Sequence, residues 1–348
     1  MIAFRKALAA ALAALPLCGE APVGQQSNVT FSDYPAQAES SELLRRLASP
    51  LTVVELGRLL AKSGKTLAER SLDLGKERFL VYAPPHAPAK GYGILVFVPP
   101  WDDARLPPSW AGVLDKFGVI YVSAANSGND ARPVERREPL ALIAEHNIAR
   151  RYPVDPDRIY VGGFSGGSRV ALRLALGYPD VFRGVLLNAG SDPIGDISAP
   201  LPSRDLFARF QSATRLVYAT GGKDEAGLAG DIDSVSSMRR WCVAGISTEA
   251  MPYAGHQAAD PAILAHALSD LQTPVRSDPA KQAACQSAID RDLTRALDEV
   301  EALVAAGKND EARRRLIQLD ARFGGLAAPG SIELAGKLDR RTKAGSGL

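Results

Sequence analysis

One stretch limits what this chain can fold into: Arg158-Ile159-Tyr160-Val161-Gly162-Gly163-Phe164-Ser165-Gly166-Gly167-Ser168. The β-branched and aromatic run from Ile159 to Val161 predicts a strand. A glycine cluster follows, and then Val170, Leu172, Leu174 and Leu176 carry an apolar helical pattern. A strand that bends this sharply into a helix needs small residues at the corner, because side chains there would hold the two elements apart. Gly163 to Gly167 fits G-x-S-x-G, in which the central serine takes a strained turn and its Oγ stands clear of the sheet edge. The dipoles of the following helix N-terminus favour negative charge developing beside it.

A serine hydroxyl is a poor nucleophile near neutral pH, so a base must take its proton and a third group must orient that base. The chain has four histidines. His86 sits between prolines in a surface loop, His146 lies inside a helix, and His266 lies in the last helix of the sheet domain. The two helical ones read as core-edge histidines. His256, in Met251-Pro252-Tyr253-Ala254-Gly255-His256-Gln257, falls on a loop just after the last strand. Active groups gather at such strand ends, which makes His256 the expected base. The acid should lie between serine and histidine in the chain. Asp224 directly follows a strand and leads, with Asp192 and Glu225 as competitors; Asp231 and Asp233 read as helix N-terminal residues. For an oxyanion hole, Gly166 supplies one backbone N–H. The second should come from the loop Pro99-Pro100-Trp101-Asp102-Asp103, where the prolines have no N–H to give; Trp101 is the first candidate and Asp102 the second.

The rest of the chain supplies a scaffold for such a site. A chain of 348 residues can bury a large core. Gly24 to Asn28 reads as a polar linker, and two short helical patterns follow, the second with a capping box at Thr52-Val53-Val54-Glu55. An edge strand is expected at Ala68–Leu74, then strands at Phe79–Ala83, Gly93–Val98, Gly118–Ala124, Val181–Asn188, Arg215–Thr220 and Thr248–Tyr253. The continuous apolar runs among them suit strands covered on both faces. Strands alternating with helices predict an α/β fold with a doubly wound, mostly parallel sheet. Between Ala189 and Ala213 there is room for a small flap only. From Ala283 the pattern becomes helical, with an αα-hairpin across Gly307-Lys308-Asn309-Asp310 and a third helix at Ser331–Leu338. This part reads as an appendage on the sheet domain, or else as a partner-binding module.

Arg5 and Lys6 precede an apolar stretch from Ala7 to Leu17 that is too short to span a bilayer and fits an export signal. The expected division is a signal peptide over 1–21, an N-terminal helical segment over 22–66, a catalytic domain over 67–275 and a helical appendage over 276–348. Export to the periplasm or beyond leaves Cys242 and Cys285 as an even pair, either bridged or free, while Cys18 would be removed or, in a poor lipoprotein box, lipidated. A net charge of +2 makes no electrostatic case for nucleic acid. No metal-ligand cluster, phosphate loop or transmembrane span is expected, and no cofactor.

Asp157 to Gly167, Tyr178-Pro179-Asp180-Val181-Phe182 and Gly255-His256 together resemble the α/β-hydrolase serine esterases, nearest those named for polyhydroxybutyrate depolymerase and feruloyl esterase. The likeness spans roughly residues 70 to 272. It implies an α/β-hydrolase fold and cofactor-free hydrolysis of a small-molecule or polymeric ester, with Ser165 as nucleophile, Asp224 as acid and His256 as base. Two positions depart from that family: Pro99-Pro100 stands where His-Gly is usual, and Gln257 to Pro261 lacks the Trp-Pro that often follows the histidine. An ester hydrolase is the leading expectation. A peptidase or amidase with the same residues, and a catalytically silent binding protein on the same fold, are the alternatives.

Overall fold

The computed structural model describes residues 21–70 and 72–345. Residues 1–20, which hold nearly all of the expected signal peptide and Cys18, lie outside the described part. The described residues build one sheet of eight strands: β1 (Gly24–Val29), β2 (Phe79–Ala83), β3 (Tyr92–Val98), β4 (Val119–Ala124), β5 (Val154–Phe164), β6 (Gly184–Asn188), β7 (Arg215–Gly221) and β8 (Ile246–Met251). Their order across the sheet is β1-β2-β4-β3-β5-β6-β7-β8. β1 and β2 run antiparallel to their neighbours, and from β4 to β8 every pairing is parallel.

The parallel strands are apolar throughout because helices cover both faces. Ile94, Val96 and Val98 of β3 face one core, whereas Leu95 and Phe97, one residue out of step, face the other. The first core is closed by α1 (Ser40–Leu47), α4 (Glu138–Arg151), α5 (Gly166–Gly177), α6 (Arg204–Ala213) and α7 (Glu225–Arg240), through side chains such as Leu43, Leu142, Leu172, Phe210 and Met238. The second is closed by α3 (Ala111–Phe117) and α8 (Pro261–Gln272), with Leu114, Leu264 and Leu268. Burial of side chains of this size stabilises the fold by about 1.5–3 kcal/mol each. The sheet is therefore a rigid platform, and the loops at its strand C-termini are its working edge.

The C-terminal unit comprises α9 (Pro279–Ala305), α10 (Asn309–Phe323) and α11 (Gly330–Gly345). It packs on α2 (Pro50–Lys62) and on the loop before α6. Phe323 meets the edge of Trp241 at 5.8 Å, and Leu293, Val300, Val304 and Leu316 are buried in the first core. Arg58 of α2 pairs with Asp339 of α11. A disulfide joins Cys242, just after α7, to Cys285 of α9.

Three expectations need correction. Gly24–Asn28, read as a linker, is strand β1, so the sheet draws on residues upstream of 67. Its sequence, Gly24-Gln25-Gln26-Ser27-Asn28-Val29, has no apolar alternation because the strand is a sheet edge; backbone pairing to β2 rather than side-chain burial holds it. Ala68–Leu74, expected as an edge strand, instead shows bends and turns leading into β2 over its described residues, 68–70 and 72–74. The second helix begins at Pro50, capped by Ser49, whose Oγ accepts the Thr52 N–H, so Thr52 lies inside it. Among the described residues no helix is long and apolar enough to cross a membrane.

Candidate active site

The corner between β5 and α5 is as tight as its glycines require. A Cβ on Gly163 would lie 2.4 Å from the Gly167 carbonyl, and one on Gly167 would lie 1.9 Å from the oxygen of Val98. Ser165 sits at the apex with φ 55° and ψ −122°, a conformation that costs an L-residue about 1–3 kcal/mol and persists only where the surroundings enforce it. They do so here: the Ser165 N–H donates to the Asn188 oxygen at 2.9 Å, and the Ser165 carbonyl accepts from Ser168 N–H at 3.0 Å.

His256 reaches this serine from the loop after β8. Its Nε2 lies 2.9 Å from Ser165 Oγ, and its Nδ1 lies 2.6 Å from Asp224 Oδ2. A carboxylate only accepts, so Nδ1 carries the proton and Nε2 is left with a lone pair facing the serine hydroxyl. Asp224 stands at the end of the β7 loop. Its other oxygen caps α7, accepting the Gly227 N–H at 3.1 Å, so one side chain both starts a helix and orients a ring. Partial burial raises the Asp224 carboxyl, but the hydrogen bonds from His256 and Gly227 outweigh it and hold the group below its ordinary range. The Asp224 side chain is 9% exposed and that of His256 50%, which shelters the anion while the ring stays open to a ligand. The two loops are pressed together. Lys223 N–H donates to Ala254 O at 2.9 Å, and Gly222 N–H donates to Met251 O at 2.8 Å.

The loop after β3 lies against the start of α5, as the contact between Val98 and Gly167 requires. Gly166 occupies the first helical position, where a backbone N–H has no acceptor within the helix. Trp101 N–H donates to no described backbone group. Both expected oxyanion donors are thus uncommitted. The Trp101 ring lies 6.0 Å from Phe164, which lies 4.9 Å from the His256 ring, and the Arg105 guanidinium stacks 4.1 Å over Trp101. These side chains form one wall beside the serine. Arg137 is buried and its Nη2 donates to Pro99 O at 2.8 Å, fixing the loop from beneath.

The other residues weighed in the sequence fall elsewhere. Asp192 pairs with Arg169 at 3.0 Å, and Glu225 is an exposed first residue of α7. Asp231 and Asp233 lie within α7 rather than at its start; Asp231 is buried and accepts from Ser191 Oγ at 2.6 Å. His86 is exposed and His146 half-buried. His266, expected at the core edge, projects outward and lies 3.3 Å from Glu249. Asn188 escaped the sequence reading. Fully buried at the end of β6, it donates from Nδ2 to Ala219 O at 2.6 Å and accepts the Ala259 N–H on Oδ1 at 2.7 Å. Its backbone oxygen holds the serine, so one residue ties the serine turn to the histidine loop. The available signal was an amide closing an otherwise apolar strand.

No family model matches the chain. A poly(3-hydroxybutyrate) depolymerase of Ralstonia pickettii is 27% identical over 99 residues, which cover 24% of this chain and 20% of that enzyme; the chain spans about a fifth of that relative's length. Among solved structures, a ferulic acid esterase aligns with a TM-score of 0.42 at 18% identity, over 56% of this chain and 89% of its own. The S-formylglutathione hydrolase of Staphylococcus aureus aligns with a TM-score of 0.43 at 11% identity, over 56% of this chain and 91% of its own. The BES protein of Bacillus cereus gives 0.41 at 11%, over 57% and 91%. By its strand order and its serine-bearing corner, the chain has the α/β-hydrolase fold.

Proposed function

We propose that the protein is a serine hydrolase of carboxylic esters that works through an acyl-enzyme. The observation that carries this reading is the unbroken series of hydrogen bonds from Asp224 through His256 to Ser165, open to solvent at the serine end. In the reaction, His256 Nε2 takes the hydroxyl proton as Ser165 Oγ bonds to the ester carbonyl carbon. Asp224 stabilises the imidazolium that results, and its position at the N-terminus of α7 keeps it anionic. The carbonyl oxygen becomes an oxyanion held by the N–H groups of Gly166 and Trp101. When the tetrahedral centre collapses, the C–O bond breaks and His256 returns the proton to the departing alcohol. Water, deprotonated by the same ring, then releases the acid and restores the serine.

The substrate is a small-molecule or polymeric ester, and neither a cofactor nor a metal enters any step. The bridge between Cys242 and Cys285 supports export, since an oxidising compartment preserves such bonds. The C-terminal helices α9 to α11 act as a docked appendage.

Labelling with a fluorophosphonate probe tests the reading. Ser165 should carry the probe in the wild type, and Ser165→Ala should lose both labelling and p-nitrophenyl acetate turnover while unfolding at the same temperature. Turnover that survives in Ser165→Ala would refute the assignment. An anilide analogue of the ester, run in parallel, separates ester from amide cleavage.

A further inference from the structure

Apart from the side chains already assigned, one polar group looks onto the same ground. Asn129 lies on the loop after β4 and is exposed, and its carboxamide makes no hydrogen bond to the described residues. It does not trail into solution. A Cβ on Gly166 would lie 2.3 Å from Asn129 Oδ1 and 3.2 Å from Nδ2, so the amide covers the residue that follows Ser165. Its backbone is fixed to the loop that bears Trp101. Asn129 N–H donates to Pro100 O at 3.1 Å, Asn126 N–H to Asp102 O at 2.7 Å and Gly128 N–H to Asp102 Oδ1 at 3.1 Å. Arg137 ties the same region to Pro99 O.

We propose that Asn129 is a further catalytic residue, whose Nδ2–H donates to the oxyanion formed when Ser165 attacks the ester. The inference rests on the acyl transfer proposed above. Its chemical motive is the double proline: Pro99 and Pro100 have no N–H, so the loop after β3 offers few backbone donors to the developing charge. A side-chain amide adds a donor beside the N–H groups of Gly166 and Trp101. Rotation about Cβ–Cγ exchanges Oδ1 and Nδ2, so the donating Nδ2 can take the place beside Gly166 and face the oxyanion. Because folding already holds the loop, the donor needs little rearrangement as charge develops, the condition under which such groups accelerate reactions most.

The test compares wild type, Asn129→Ala, Asn129→Asp, Gly166→Ala and the Asn129→Ala/Gly166→Ala double variant, using p-nitrophenyl acetate kinetics, fluorophosphonate labelling and thermal unfolding. Asn129→Ala should lower kcat by about 10²-fold with KM and Tm nearly unchanged, the loss typical of one removed oxyanion donor. Asn129→Asp should be slower still, because a carboxylate repels the oxyanion. Gly166→Ala keeps its backbone N–H but pushes the amide aside, so it should show a similar loss. The double variant should be no slower than the worse single one. A kcat for Asn129→Ala within about threefold of wild type, or losses that multiply in the double variant, would overturn the role while leaving Ser165 in place. A wild type that neither labels nor cleaves the ester would overturn both readings.

Discussion

Replacement of Asn188 by alanine should loosen the site from a residue that never meets substrate. The side chain is fully buried, and its two short hydrogen bonds join β7 and the histidine loop to the end of β6. Alanine removes both, at a net cost of about 1 kcal/mol each. The consequences for the partners differ. The Ala219 carbonyl still accepts the Ala189 N–H at 3.2 Å, whereas the Ala259 N–H, on a residue only 3% exposed, is left without its partner. An orphaned buried donor costs roughly a further 1–3 kcal/mol, so the expected loss is about 3–5 kcal/mol. At about 2.1 cal/mol/K of unfolding entropy per residue over 348 residues, that lowers Tm by roughly 4–7 °C. Urea unfolding at pH 7 would show a lower midpoint with an unchanged slope. Fluorophosphonate labelling of the folded fraction should also slow, because Ala259 lies three residues from His256. Asn188→Asp sharpens the test. One carboxylate oxygen could still accept from Ala259, but the other would face the Ala219 carbonyl, so burial beside that oxygen would raise the carboxyl pKa. Folded protein would then hold the proton more tightly than unfolded chain, and stability would fall as pH rises. A Tm for Asn188→Ala within a degree of wild type would refute this account of how the two loops are joined.

Three further outcomes are expected. Cys242→Ser/Cys285→Ser should cost about 4 kcal/mol on loop-closure grounds for a separation of 43 residues, measured by urea unfolding, with ester turnover by the folded enzyme unchanged; equal midpoints with and without the bridge would contradict this. Burial raises the Glu145 carboxyl from 4.5 to about 7, so the folded state holds a proton there that the unfolded chain has released. Stability should therefore decline as pH rises from 4.5 through 7, and Glu145→Gln should flatten that part of the profile; an unchanged profile counts against the assignment. Asp224→Asn should reduce kcat by about 10⁴-fold, since the amide no longer enforces the Nδ1–H form of His256. It should also remove some stability present above the ordinary carboxyl range and lost in acid, because the Asp224 pKa is depressed in the fold; equal acid midpoints for variant and wild type would rule this out.

Much of this architecture was legible wherever a local pattern and a global role coincided. Apolar runs such as Gly93–Val98 must be covered on both faces, and the corner at Ser165 leaves no room for side chains at Gly163 or Gly167. The place of His256 was legible because it lies on the loop just after the last strand, whereas His146 and His266 lie in helices and His86 follows the antiparallel strand β2. Edge elements were not legible. Strand β1 owes its existence to β2 and carries no pattern of its own, while Ala68–Leu74 alternates by chance. Asn188 and Asn129 were missed for a related reason. An amide reveals its work only through its partners, and those lie 31 and 71 residues from Asn188 in one case and beside Gly166 in the other.

Ser165 itself carries a conflict that its geometry makes unavoidable. Its φ of 55° and ψ of −122° suit a residue with no Cβ, so the backbone there would relax if the side chain were simply deleted to glycine. The atom assigned to begin the reaction hangs from the point where the chain least accommodates one. Any search for sturdier versions of this protein that ignores turnover will be drawn toward that position, and will gain durability by discarding its chemistry.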